Sequence, residues 1–284
     1  MKSQLVFAGL LIVLALAVIG VTRTHVHSTP TPDPAVESNG ATSAAPVVVE
    51  LFTSEGCSSC PPADQVLAQL SKNQPVPGAE VIALSEHVDY WNRLGWADPF
   101  SSSEFSQRQN DYASAFSTDQ IYTPQMIIDG QSQFVGSDLR KAEDEIARAT
   151  KTPKADVEIR RMDESASGSA AKGSINFSVS VSHLPAPKAG DTAEVLLAIT
   201  QDGLASNVTR GENSGHRLTH TGVVRQLSKI GRINPQEGGG SFSANPTVKL
   251  PRGFDDSAGH AVVFVQERNS RRILGAASIH LSKM

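Results

Sequence analysis

The segment Cys57-Ser58-Ser59-Cys60 holds the only two cysteines of the chain, and its flanks make it the strongest constraint on the fold. Residues 47–52, Val-Val-Val-Glu-Leu-Phe, are an apolar and largely β-branched run that fits a buried parallel strand. Pro61 and Pro62 follow the cysteines, and Val66, Leu67 and Leu70 then share one helical face. Proline suits the first helical turn, where its missing N–H would be unpaired anyway. The pair is therefore expected at a strand-to-helix junction, at the helix N-terminus. Two thiols so placed can form a disulfide, pass it to a substrate or clamp a soft metal.

Magnitude argues against a mere staple. Closing a four-residue loop is worth roughly 2 kcal/mol in the chain-entropy model, against about 4.7 kcal/mol for a hundred-residue loop. A bridge selected for stability would join distant segments. Free N–H groups and the positive end of the helix dipole favour a thiolate, the species that attacks a disulfide. Cys57 is expected to be the nucleophile, and Cys60, nearer the helix, to resolve the mixed disulfide. Ser58 and Ser59 are candidate donors to sulfur.

Residues 81–84 read as a second buried strand ending at Ser85-Glu86-His87-Val88-Asp89-Tyr90-Trp91. A helix is expected from Ser101, whose pairing with Glu104 forms a capping box, with Phe105, Tyr112, Ala113 and Phe116 as its apolar stripe. Thr123-Pro124 precedes a strand at residues 125–128, an Asp129-Gly130 turn, a strand through Phe134-Val135 and a helix over residues 138–149. His87 and Trp91 are expected to wall a substrate groove, with His87 shifting a thiol's pKa or moving a proton.

In this order of elements the chain resembles thioredoxin-fold proteins: CxxC at a strand–helix junction, then Thr-Pro before a hairpin, Gly136 and a final helix. The resemblance implies an α/β thioredoxin-like domain over residues 47–152. It also implies a cis Pro124 against the cysteine pair, with the Thr123 backbone pairing to substrate. Ser54-Glu55-Gly56 before the pair and Ser58-Ser59 within it depart from thioredoxin itself, so the redox direction stays open. More narrowly, the chain resembles an uncharacterised family of exported bacterial thioredoxin-like proteins. That likeness rests on residues 50–64, on His87-Val88-Asp89-Tyr90-Trp91 with Leu94-Gly95-Trp96 and Asp98-Pro99-Phe100, and on Tyr122-Thr123-Pro124-Gln125. It continues in Arg210-Gly211-Glu212-Asn213 with Gly215, Leu218, His220 and Val223-Val224-Arg225.

Beyond Pro153 the period changes. Ile175, Phe177, Val179 and Val181 alternate with polar residues, and residues 193–200, 222–227, 243–250, 261–267 and 273–281 add further strands. Strands without helices predict an all-β sandwich-like domain over residues 153–284. Its polar loop at residues 210–220 could bring Arg210 and Glu212 to the cysteine face.

Residues 5–21 are an apolar run after Lys2, which predicts a signal peptide or signal-anchor over residues 1–22. A Pro/Ser/Thr/Ala-rich linker is expected at residues 23–46. Export to the periplasm or another extracytoplasmic space follows, with a single N-terminal anchor in the inner membrane if the segment is retained. A net charge of −4 gives nucleic-acid binding no electrostatic support. The expected activity is thiol–disulfide exchange with a protein or small-molecule thiol or disulfide, needing no cofactor. Alternatives are Cu(I) handling by Cys57, Cys60 and His87, and a non-catalytic envelope interaction protein.

Overall fold

The computed structural model describes residues 44–162, 173–234 and 240–282, so the expected signal segment and nearly all of the linker lie outside the described residues. The first half runs β1 (Ala45–Thr53), α1 (Pro61–Asn73), β2 (Ala79–His87), α2 (Ser103–Ala115), β3 (Gln125–Ile128), β4 (Ser132–Val135) and α3 (Leu139–Ala149). The cap of α2 lies one residue beyond the expected one: Ser102 Oγ accepts from Glu104 N at 3.2 Å. Asp138 caps α3 by accepting from Lys141 N.

The second half opens with β5 (Asp156–Arg161), β6 (Ser174–Ser182), β7 (Ala193–Gln201), β8 (Leu204–Asn207), β9 (Arg217–His220) and β10 (Val223–Ile233). It ends with β11 (Phe242–Ala244), β12 (Thr247–Lys249), β13 (Gly259–Glu267) and β14 (Ile273–His280). Among the described residues no helix is long and apolar enough to cross a membrane.

The expectation of a thioredoxin-like α/β domain followed by a β-sandwich domain is overturned by the sheet. One mixed eight-stranded sheet runs β14-β13-β7-β10-β2-β1-β3-β4, and the protein is mostly β. The edge of β2 that a separate domain would leave open is taken by β10: Val223 pairs with Ser85 in parallel, and Ser85 N donates to Gly222 O at 2.8 Å. An uncovered edge is a row of unpaired N–H and C=O groups, and pairing it removes that cost. Gly222 permits the join. Its φ is 63°, and a Cβ there would sit 2.6 Å from the Ala83 carbonyl oxygen.

Strand alternation gives this sheet two different faces. Val47, Val49, Leu51, Met126 and Ile128 pack under Leu67, Leu70, Ala142 and Ile146 of α1 and α3. On the opposite face Val48, Ile82 and Leu84 of β1 and β2 cluster with Leu196, Ala198, Val262, Phe264 and Ile273, which come from the far half of the sheet. The sheet therefore curls, and Ile273 N at the start of β14 donates to Asp129 O in the β3–β4 turn. A smaller sheet, β11-β6-β12 with β5 on β6, packs Phe177, Val179 and Val181 against Val195, Leu197, Val263 and Val265.

Within the curl, α2 contributes a buried cation. Arg108 Nε donates to Glu50 Oε1 at 2.7 Å and its Nη1 to Gln266 Oε1 at 3.0 Å, while the Tyr112 hydroxyl donates to Glu50 Oε2. Glu86, with Arg108 Nε 3.2 Å away, is pushed well above the usual carboxylate range, first by burial and then by Glu50, despite the Arg108 charge. One guanidinium thus faces two fully buried acidic side chains.

Candidate functional site

The end of β1 turns at Ser54, where Cys57 N donates to Ser54 O, and Cys60 N donates to Cys57 O. Cys60 is the N-cap of α1 and carries helical backbone angles, with Pro61 in the first turn. Cys57 and Cys60 form a disulfide with a Cα–Cα separation of 5.5 Å. Both are fully buried, whereas Ser58 and Ser59 are exposed. Ser59 Oγ lies 3.3 Å from Cys57 Sγ, as expected of a donor to sulfur. Ser58 instead turns its N–H outward to Glu212 Oε2 at 2.9 Å.

Thr123-Pro124 is a cis peptide, and the Thr123 carbonyl oxygen lies 3.9 Å from Cys57 Sγ. Trp91 pins this segment by donating its indole N–H to Thr123 Oγ1 at 2.8 Å. Behind it, Gln109 Nε2 of α2 donates to Tyr122 O and to Gln125 Oε1. Cys57, Cys60, Trp91, Thr123 and Pro124 therefore meet at one end of β1 and β3. His87 does not join them at a groove wall. It is fully buried, with Nδ1 2.7 Å from Asp98 Oδ2.

That histidine belongs to a buried titratable cluster behind the disulfide loop. Glu55 N donates to Asp98 Oδ2 at 2.8 Å, and Trp96 Nε1 donates to Glu55 Oε2 at 2.8 Å. His220, at the end of β9, places Nε2 3.1 Å from Glu55 Oε1 and Nδ1 3.9 Å from Asp64 Oδ2. The His87 and His220 rings meet edge to face at 4.6 Å, with Phe100 against both. Asp64 Oδ1, His87 Nε2, His220 Nδ1, Thr53 Oγ1 and Ser85 Oγ are buried without a hydrogen-bond partner.

The two acids of this cluster diverge. Burial works to raise the Asp98 carboxyl, but the His87 ring and the N–H groups of Glu55 and Phe100 outweigh it and hold it below its usual value. Burial dominates at Asp64 and pushes it up to about 7; His220 pulls it down, while Asp98 and Glu55 add to the rise. Environments that separate two carboxyls in this way leave one ionised and one able to exchange a proton near neutrality.

The second half of the chain reaches the same place through the β8–β9 connection. Asn213 Nδ2 donates to Glu55 O at 2.8 Å and to Cys57 O at 2.9 Å. The Ser58 N–H holds the exposed Glu212 carboxyl below its usual value. Glu212 thus reaches the cysteine face as expected of the loop. Sequence reasoning did not single out Glu55, Asp64, Asp98, Asn213 or His220 as site residues, although all five lie within the motifs that carry the resemblance. Among the described residues, no group of three or more His, Cys, Asp or Glu side chains is arranged to hold a metal ion.

Comparison with solved structures finds the protein AGR_C_4864 from Agrobacterium tumefaciens at 28% identity and a TM-score of 0.59, covering 86% of this chain and 98% of that one. HBP35 of Porphyromonas gingivalis is similar in fold, at 16% identity and a TM-score of 0.59, covering 84% of this chain and 76% of that one. No curated protein matches. A family model described as protein of unknown function DUF1223 matches residues 48–266, most of the chain, and the chain belongs to that family.

Proposed function

We propose that the protein is a thiol–disulfide oxidoreductase that exchanges the Cys57–Cys60 disulfide with a protein or small-molecule thiol or disulfide. The observation that carries this reading is the placement of the pair. The disulfide sits at the N-terminus of α1, where the dipole and free N–H groups favour a thiolate, and it backs onto a buried acid that titrates near neutrality. A bridge spanning only three residues adds little stability to a chain with a core of this size. Cys57 is the attacking sulfur, because the exposed Ser58-Ser59 turn and the Thr123 carbonyl border it, whereas Cys60 is enclosed by the helix.

The reading extends to an extracytoplasmic location, supported by the apolar run at residues 5–21. A redox titration of the purified protein tests the activity. A reversible two-electron couple within the range of catalytic dithiols is expected, and a pair that stays oxidised down to about −350 mV would defeat the proposal. A Cys60→Ser variant stalls exchange at the mixed disulfide on Cys57 and identifies the partner.

A further inference from the structure

Resting on that redox reading, we propose that Glu212 selects the substrate by charge. Its carboxylate, held on the rim of the Cys57 turn, favours thiols and disulfides that carry positive charge beside their sulfur and disfavours anionic ones.

The β8–β9 connection fixes this carboxylate through both neighbours of Glu212. Asn213 is buried and donates to Glu55 O at 2.8 Å and to Cys57 O at 2.9 Å. Gly211, at φ 77°, lies so close to Trp96 that a Cβ there would meet the Trp96 Cβ at 3.3 Å. Ser214 N closes the turn by donating to Gly211 O at 3.2 Å. Glu212 is the exposed tip between these anchors, and its Oε2 accepts from Ser58 N at 2.9 Å.

That hydrogen bond bounds the distance to sulfur. Ser58 N is four covalent bonds from Cys57 Sγ, a path that spans at most about 5 Å. The Glu212 oxygen therefore lies within about 8 Å of the sulfur, inside the Debye length of about 10 Å at 0.1 M salt. Both cysteines are buried, whereas Ser58, Ser59 and Glu212 are exposed, so an incoming group reaches Cys57 across this rim. The Ser58 N–H keeps the Glu212 carboxyl ionised, and no cation adds to that pull, not even Arg210, exposed two residues earlier. The rim thus presents a negative charge with no counter-charge bound to it. At such a separation in water, each unit of charge on the incoming group changes its rate of reaction by about threefold.

The reduction of the disulfide proceeds in two displacements. A thiolate RS⁻ attacks Cys57 Sγ; the RS–Cys57 bond forms, the Cys57–Cys60 bond breaks, and its electron pair leaves on Cys60 Sγ. A second RS⁻ attacks the RS sulfur, RSSR departs, and the electron pair of the broken bond stays on Cys57 Sγ. The two thiols have lost two electrons, the protein disulfide has gained them, and the two protons the thiols gave up return to Cys57 and Cys60. Each attacking sulfur is already negative, so Glu212 opposes every thiolate, most of all one flanked by carboxylates. An ammonium or guanidinium beside the sulfur cancels that repulsion. A cysteine flanked by lysine or arginine therefore fits this rim, and a carboxylate-bearing thiol does not.

The test is reduction of the oxidised full chain at pH 8 and low salt by cysteamine, 2-mercaptoethanol and 3-mercaptopropionate, whose thiolates are net neutral, singly negative and doubly negative. Samples trapped with N-ethylmaleimide are weighed by mass spectrometry. Glu212→Gln keeps an acceptor for the Ser58 N–H and removes only the charge. Relative to the wild type it should react about equally fast with cysteamine, about threefold faster with 2-mercaptoethanol and about tenfold faster with 3-mercaptopropionate. Sodium chloride at about 0.5 M should erase these differences. Equal rates for the two proteins with all three thiols, or one common factor that salt leaves unchanged, would overturn the charge assignment while leaving the redox reading intact. A disulfide that none of the three thiols reduces in either protein would overturn the redox reading, and this assignment with it.

Discussion

Asn213 holds Cys57: its side-chain amide donates at 2.9 Å to the Cys57 carbonyl and at 2.8 Å to that of Glu55, across 156 residues of chain. One buried amide therefore fixes the turn that carries the disulfide. Asn213→Ala leaves two buried carbonyl oxygens short of a donor, at a cost of about 1–3 kcal/mol. The variant should have a lower urea midpoint with an unchanged m-value. It should also be reduced faster by dithiothreitol, since the turn over Cys57 loosens. Equal reduction rates would mean that Asn213 is merely a packing residue.

Asp64 yields a stability prediction with a definite sign. The unfolded carboxyl ionises near 3.8, and the folded one near 7. The advantage of keeping it protonated is complete below the unfolded value and is lost as pH rises through the folded one. Three pKa units correspond to about 4 kcal/mol. Asp64→Asn should thus match the wild type near pH 4 and exceed it at pH 8 by up to about 4 kcal/mol, read from urea unfolding of the oxidised forms.

Arg108 should be among the least replaceable residues outside the disulfide region. Arg108→Met strips the cation from Glu50 and Glu86, which are fully buried. Removing one partner of such a group costs about 3–5 kcal/mol. Urea unfolding of the variant checks the magnitude.

Gly136 sets how closely the site packs. A Cβ there would lie 2.7 Å from Leu51 Cδ1, 3.1 Å from Ala63 Cβ and 3.5 Å from Pro124 Cβ. Gly136→Ala should cost about 1–3 kcal/mol by overpacking. Because the strain falls beside Pro124, it should also shift the fluorescence of Trp91, which is bonded to Thr123.

The elements were legible in the sequence, and their assembly was not. Local pattern placed β1, α1, β2, β3, α3, β6, β7 and β13 close to their observed bounds, because strand alternation and helix caps are written into neighbouring residues. Nothing local says that β10 enters beside β2. That pairing depends on an edge left open about 140 residues earlier and on the left-handed Gly222. The cysteine pair, Thr123 and Trp91 were found because their chemistry or motif is distinctive. Asp64 reads as an ordinary polar residue in the first turn of a helix. It becomes a buried acid only when β9 brings His220 over it.

The shared sheet has a consequence in time. A chain made from its N-terminus presents Cys57 and Cys60 long before Asn213, His220 or β10 exist to enclose them. The nascent first half has an open β2 edge and a thiol pair in contact with solvent. Until residues near 220 have emerged, any oxidant or passing thiol meets those sulfurs without His220 and Asn213 packed behind the turn that carries them. Premature oxidation of the pair is an intramolecular event between near neighbours and is correct by default, since the chain holds no third cysteine with which to mispair.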